Sequence, residues 1–468
     1  MLLLTLSICV SLILTSDIQA SLNTVLLLAF TTVTGLLLCQ ATRVKLNDPS
    51  LGILGYLWLL KVLVTFFLLY ISWKPEIDAT VSYALEYDPL RYYFQAQELV
   101  ENHWVADFVS LTYVGVLYYY GCIFYVFGHN PVIPALANTL LTLVATLFLI
   151  KVCYEIKGQV WPRDWTLSFA LFLPDLLWFD ALTSRETPMA AYLLLAMLGA
   201  GRYIAQTAPV SLPRTLVVVG LSVAAIAALR TSMMAPVFGS IVLMMFLIRP
   251  QTKSWGLQRL VLISCAALAL VIGPILNTEA GGYEFGYGRA LQTATSGGEN
   301  IAVTQADVVW NERSIGMLLV PEGMLQSILF LPPRMVLYLV APLPRVLVTF
   351  NGLVSGKWGD WQTLCTILGS LINVLAIPYA IGSLLRSVKT RRANAAPLML
   401  HVAYWPTFVA IAGGNIILHE RYRTMATLLL WGCAWHGART CSKQLILKTS
   451  AFWYGLLTLG AVFYLIYK

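Results

Sequence analysis

Residues 111–128 read LTYVGVLYYYGCIFYVFG, and how this stretch is placed decides how the rest of the chain is threaded. The run after it, residues 132–150, has the length and apolarity of a membrane span. If both crossed the bilayer, the loop KVCYEIKGQVWPR (residues 151–163) would fall on the outer face. That opposes the bias that keeps Lys and Arg in cytoplasmic loops, and the later basic loops would oppose it too. If residues 111–128 instead lie on the outer interface or dip into it, the later loops fall on the expected side. The five tyrosines of the stretch suit that position, since each ring is apolar and each hydroxyl seeks water. We therefore read it as interfacial.

The composition sets the class. The chain has 468 residues, 59% hydrophobic and 11% charged, where a soluble domain is nearer half apolar and a quarter charged. Open sheets leave backbone groups unsatisfied in lipid, and no barrel-type alternation is present, so the expectation is an all-α polytopic membrane protein. The net charge of +8 sits in short loops between apolar runs, which is membrane orientation rather than a nucleic-acid surface. The eight cysteines are scattered without a CxxC, and the five histidines show no ligand spacing. Neither a disulfide framework nor a zinc site is expected.

Working outward, residues 2–16 form a short first apolar run, read as an uncleaved helix. Residues 22–40 run inward to Arg43 and Lys45, and residues 51–72 run outward to Trp73. Beyond residues 111–128, spans are expected at 132–151, 165–183, 188–204, 214–231, 235–249, 259–276, 361–385, 397–413, 424–439 and 450–467. The total is about thirteen. The whole chain, residues 1–468, reads as a single membrane domain with two large outer loops. Residues 73–131 form the first, with interfacial helices. Residues 277–360 form the second, with re-entrant or interfacial segments where Pro332, Pro333, Pro342 and Pro344 interrupt apolar sequence.

This topology gathers charge on the outer side. The stretch YALEYDPLRYYFQAQELV (residues 83–100) carries Glu86, Asp88 and Arg91, and Asp88-Pro89 reads as a helix start. Ser184-Arg185-Glu186 ends the 165–183 segment. Arg334 and Arg345 lie in the proline-rich part of the second loop, and HERYR (residues 419–423) joins two late spans. Singly, each has a plain structural explanation in capping, neutralisation or snorkelling. Together, arginines retained in outer loops call for an anionic partner, and arginine grips phosphate in a bidentate way. Transfer of a sugar from a lipid phosphate needs a carboxylate base for the acceptor hydroxyl and cations for the departing phosphate. Asp88 and Glu186 are the candidate catalytic carboxylates. Arg91, Arg185, Arg334, Arg345, His419, Arg421 and Arg423 are candidate donor-phosphate ligands, and Glu86, Tyr92, Tyr113 and Glu420 are candidate acceptor or supporting residues. No metal ligand set is expected. Asp88 and Glu186 could share a divalent cation, but two carboxylates among arginines do not demand one. No nucleotide-binding glycine motif is visible.

From about Asp88 to Arg202 the chain resembles the GT-C glycosyltransferases, polytopic enzymes that use polyprenyl-phosphate-linked sugars. Asp88 is followed by the tyrosine-rich stretch ending at Phe127-Gly128 and then by the span ALANTLLTLVATLFLI. The later segment FLPDLLWFDALTSRE carries Pro174 and ends at Glu186. The similarity is to the branch of protein O-mannosyltransferases and lipid A aminoarabinose transferases. It departs from that pattern in separating Glu86 from Asp88 by Tyr87, in having Arg185-Glu186 at the second acidic position, and in lacking a large C-terminal soluble region. The resemblance implies a GT-C-like bundle with a catalytic acid in the first outer loop. It also implies a polyprenyl-phosphate or pyrophosphate sugar donor and a saccharide or glycolipid acceptor, with the site facing the periplasm from a bacterial plasma membrane. A polysaccharide repeat-unit polymerase is the sibling expectation. A lipid-linked-saccharide transporter or flippase is the expectation from another class, weakly favoured by Asp175 and Asp180 within a span.

Overall fold

The computed structural model describes residues 18–72, 88–105, 114–157, 166–207, 211–230, 233–248, 324–340, 350–355, 358–391, 394–414 and 422–467. Every regular element among them is helical. Seven helices there are long and apolar enough to cross a membrane, so the chain is an all-α membrane protein. The expected spans at 2–16 and 259–276 lie outside the described residues.

The chain divides into two units, residues 1–192 with 342–369, and residues 193–341 with 370–468. The first contains α1 (Ile18–Leu46), α2 (Ile53–Ser72), α3 (Asp88–Glu101), α4 (Val114–Phe127), α5 (Val132–Lys157) and α6 (Pro174–Asp180). The division falls within α7 (Glu186–Ala205) and again, further on, within the long α12 (Trp358–Thr390).

In the first unit α1, α2 and α5 pack pairwise, and α3 packs along α4. Gly35 of α1 lets the Trp58 indole lie directly on the α1 backbone, and the indole N–H donates to the Thr32 carbonyl at 3.3 Å. The helix start expected at Asp88 is observed. The α3–α4 turn uses left-handed backbone at His103 and Trp104. It is tied by Tyr118 Oη donating to the Trp104 carbonyl at 2.9 Å and by an edge-to-face Tyr93–Phe124 pair. Burial raises the Tyr93 phenol above its ordinary pKa. With 14 residues, α4 is about 21 Å long, short of a hydrocarbon core of about 30 Å.

The expected single span at 165–183 is not what forms. Residues Thr166–Phe172 make a 3-10 helix, Leu173 is extended (φ −62°, ψ 118°), and α6 then has seven residues. Pro174 is the cause: its ring excludes the helical region for the residue before it and it brings no N–H to continue the ladder. The broken segment packs against α2 and α5. The count of about thirteen spans is not recovered either. Besides this break, α9 (Met234–Leu247) has 14 residues, shorter than a span requires.

The second unit holds α8 (Leu212–Leu229), α9, α10 (Met324–Val340), α13 (Leu398–Gly414), α14 (Thr424–Thr440) and α15 (Lys443–Tyr467), while α11 (Phe350–Val354) belongs to the first. Helix α13 is central, packing on α9, α10 and α14. Pro332 and Pro333 were expected to interrupt their segment, yet α10 runs through both. Both prolines are exposed, so their rings face outward from the packing surface.

Candidate functional site

In the first unit the site is built on a turn, residues 181–185, between α6 and α7. The end of α6 at Asp180 leaves the turn's backbone groups needing partners. They find them on two helices. Tyr120 Oη of α4 donates to the Ser184 carbonyl at 2.5 Å, and Asn138 Nδ2 of α5 donates to the Leu182 carbonyl at 2.8 Å. Asn138 Nδ2 also donates to Tyr120 Oη at 3.0 Å, which locks the two clamps together. Tyr120 and Asn138 are fully buried.

This clamp presents Arg185 and Glu186, buried to 7% and 3% exposure, with Arg185 Nε 4.0 Å from Glu186 Oε1. Glu186 opens α7, where the positive end of the helix dipole favours its carboxylate. Next to it, the Thr187 hydroxyl is buried and has no hydrogen-bond partner among the described residues. The turn therefore offers a buried guanidinium, a carboxylate and an unused hydroxyl side by side.

Beneath it lies a pair that the sequence reading passed over. Lys61 of α2 and Asp180 of α6 are both 0% exposed and 2.5 Å apart, Nζ to Oδ2. Lys61 Nζ also donates to the Leu171 carbonyl at 2.8 Å, and Thr142 Oγ1 of α5 donates to Asp180 Oδ1 at 2.7 Å. The signal was present as a lone lysine in the middle of an apolar run, the kind of intramembrane charge that implies a partner. Asp175 of α6 is buried with its carboxylate directly against Gly369 of α12, where any Cβ would clash.

The other expected site residues divide as follows. Asp88 is the first residue of α3, and its side chain lies outside the described residues, as do Glu86, Tyr113, Arg345, His419, Glu420 and Arg421. Arg91 is partly buried and Tyr92 is buried on the same helix. In the second unit Arg334 of α10 and Arg423, just before α14, are both 2% exposed. They meet around Tyr338: Arg423 Nη1 donates to the Tyr338 carbonyl at 3.3 Å, and Tyr338 is one helical turn after Arg334. Arg230 lies over the Tyr422 ring at 4.5 Å, a cation–π contact absent from the expectations.

Also unforeseen is a buried polar node in the second unit. Ser383 Oγ of α12 lies 2.8 Å from His401 Nε2 of α13 and 2.7 Å from His436 Nδ1 of α14. The hydroxyl has one proton, so it donates to one ring and accepts from the other. Among the described residues no cluster of three or more His, Cys, Asp or Glu is arranged to hold a metal ion.

No protein-family model matches this chain, and neither a curated protein nor a solved structure is significantly similar to it.

Proposed function

We propose that this chain is an integral-membrane glycosyltransferase of GT-C type, moving a sugar from a polyprenyl-phosphate or pyrophosphate donor to a hydroxyl acceptor at the outer face of a bacterial plasma membrane. The observation that carries the reading is the turn at residues 181–187. There a buried arginine, a buried glutamate and an unpartnered hydroxyl are held by Tyr120 and Asn138. A buried guanidinium has to meet negative charge, and here it lies beside a carboxylate, with Arg185 Nε 4.0 Å from Glu186 Oε1, at the start of a helix. A phosphate at the lipid edge has the matching charge and shape.

In this scheme Asp88 takes the proton from the acceptor hydroxyl, whose oxygen attacks the anomeric carbon. The bond from that carbon to the phosphate oxygen breaks, and the phosphate departs with the electron pair. Arg185, with Arg91 from α3, neutralises the leaving charge. The Thr187 hydroxyl donates to a phosphate oxygen. Glu186 orients Arg185 or shares the base role.

The test uses the purified full-length protein with a polyprenyl-phosphate-sugar donor and a saccharide acceptor. Asp88→Asn is expected to abolish turnover with donor binding retained, and Arg185→Gln to weaken donor binding by roughly 10- to 100-fold. Normal turnover in Asp88→Asn removes it as the base. Long products instead of one added sugar would select the polymerase reading within the same chemistry.

A transporter of lipid-linked saccharide is the second reading, favoured by the intramembrane pair Lys61–Asp180. It requires lipid movement across proteoliposomes without product formation.

A further inference from the structure

Helices α1 and α2 touch where Trp58 lies on Gly35, and the short 3-10 turn Pro49–Gly52 joins them. The space between them is a cavity of about 420 Å³. Val33, Leu36 and Leu37 form its apolar wall, Gly52 and Gly55 its floor, and Gln40 and Arg43 its polar end. The two glycines keep it open. A Cβ on Gly55 would already touch Leu36, and one on Gly52 would sit 3.8 Å from the Arg43 guanidinium.

We infer that this groove is a binding site for one anionic glycerophospholipid. Its phosphate sits against Arg43 and Gln40, and one acyl chain runs along Leu37, Leu36 and Val33. Three observations carry it. First, the dimension fits: ten residues separate Val33 from Arg43 on one helix, about 15 Å, the depth of one leaflet from headgroup to midplane. Second, the polarity is graded the right way. The wall residues Val33 and Leu37 are more than half exposed, and the cation comes only at the end. Third, the charge is available. Arg43 is exposed, and among the described residues no carboxylate pairs with it. Its one acidic neighbour in sequence, Asp48, is buried and already accepts from Tyr154 Oη at 2.5 Å and the Ser50 N–H at 2.8 Å. An arginine in that setting takes a phosphodiester through its planar fork. The site is independent of the proposed transferase pocket, since its residues are all on α1, α2 and their connecting turn.

The test is native mass spectrometry of the full-length protein in detergent, titrated with dioleoyl-phosphatidylglycerol or with dioleoyl-phosphatidylcholine. The groove predicts one retained phosphatidylglycerol, preferred over phosphatidylcholine by roughly fivefold. Arg43→Gln is expected to erase that preference, Gly55→Leu to reduce binding of both lipids by filling the groove, and Lys45→Gln, on the same helix end but outside the groove, to leave it intact. Equal retention of the two lipids by the unaltered protein overturns the proposal. So does a loss in Lys45→Gln equal to that in Arg43→Gln, which would mark general attraction to a basic helix end. A dimer peak without bound lipid would mean that a second copy fills the groove, and also overturns it. If Gly55→Leu does not fold, the two charge variants still decide.

Discussion

Replacing Lys61 with methionine keeps an unbranched side chain, one atom shorter, and removes its charge. In the intact protein the ammonium contacts Asp180 Oδ2 at 2.5 Å and the Leu171 carbonyl at 2.8 Å, with both side chains 0% exposed. The variant strands a buried carboxylate that, among the described residues, keeps the Thr142 hydroxyl at 2.7 Å as its partner. Breaking one side of such a pair destabilises by about 3–5 kcal/mol, whereas replacing both partners with apolar groups is close to neutral. The double variant Lys61→Met/Asp180→Leu is therefore expected to recover most of the loss, giving a coupling energy of about 2–4 kcal/mol. Reversible unfolding of Lys61→Met, Asp180→Leu and the double variant in mixed micelles, followed by tryptophan fluorescence, measures all three differences. Equal destabilisation in the single and double variants would refute the reasoning, since the residues would then matter separately. A loss below about 1 kcal/mol for Lys61→Met would refute it too, because that is the scale of a solvent-exposed pair.

Tyr120→Phe removes the clamp on the Ser184 carbonyl and leaves that carbonyl buried, and is expected to lower stability by about 1–3 kcal/mol and to lower transfer activity further, as Arg185 and Glu186 lose their fixed position. Activity falling no more than stability would argue against a positioning role. Ser383→Ala uncouples His401 from His436 and strands two ring nitrogens, for a loss of about 1–3 kcal/mol in the same unfolding assay; an unchanged midpoint would contradict the bridging geometry. The Cys441 thiol, raised above its ordinary pKa chiefly by burial, is expected to react slowly with a maleimide at pH 7 and to accelerate only at pH values above the usual thiol range; fast labelling at neutral pH would contradict that burial.

The parts of this molecule that were legible in sequence are those fixed locally. The helix expected at Asp88-Pro89 starts there, where a proline in the first turn costs no ladder hydrogen bond. The long apolar runs became helices because lipid leaves the backbone no other partner. Hydropathy failed at residues 165–183 because it weighs side chains and ignores the backbone rule that Pro174 enforces at Leu173. The proline rule itself misled at Pro332 and Pro333, where α10 continues through two residues that usually end a helix. At the site, Arg185-Glu186 was visible as an adjacent pair, but what holds it was not. Tyr120 and Asn138 read as ordinary members of an aromatic stretch and a span, and only packing brings them to the turn. Ser383, His401 and His436 come from three helices, so no spacing could have joined them.

The proposed lipid-phosphate site at residues 181–187 can be tested by photo-crosslinking. A polyprenyl phosphate carrying a diazirine beside its phosphate is added to the full-length protein in proteoliposomes, and the adducts are mapped by peptide sequencing. A pocket at the 181–187 turn gives adducts on that turn and on α3, competed away by unlabelled polyprenyl phosphate and lost in Arg185→Gln. Adducts confined to other segments, or unaffected by competitor and by Arg185→Gln, would mean that the buried arginine and glutamate serve only to hold the fold.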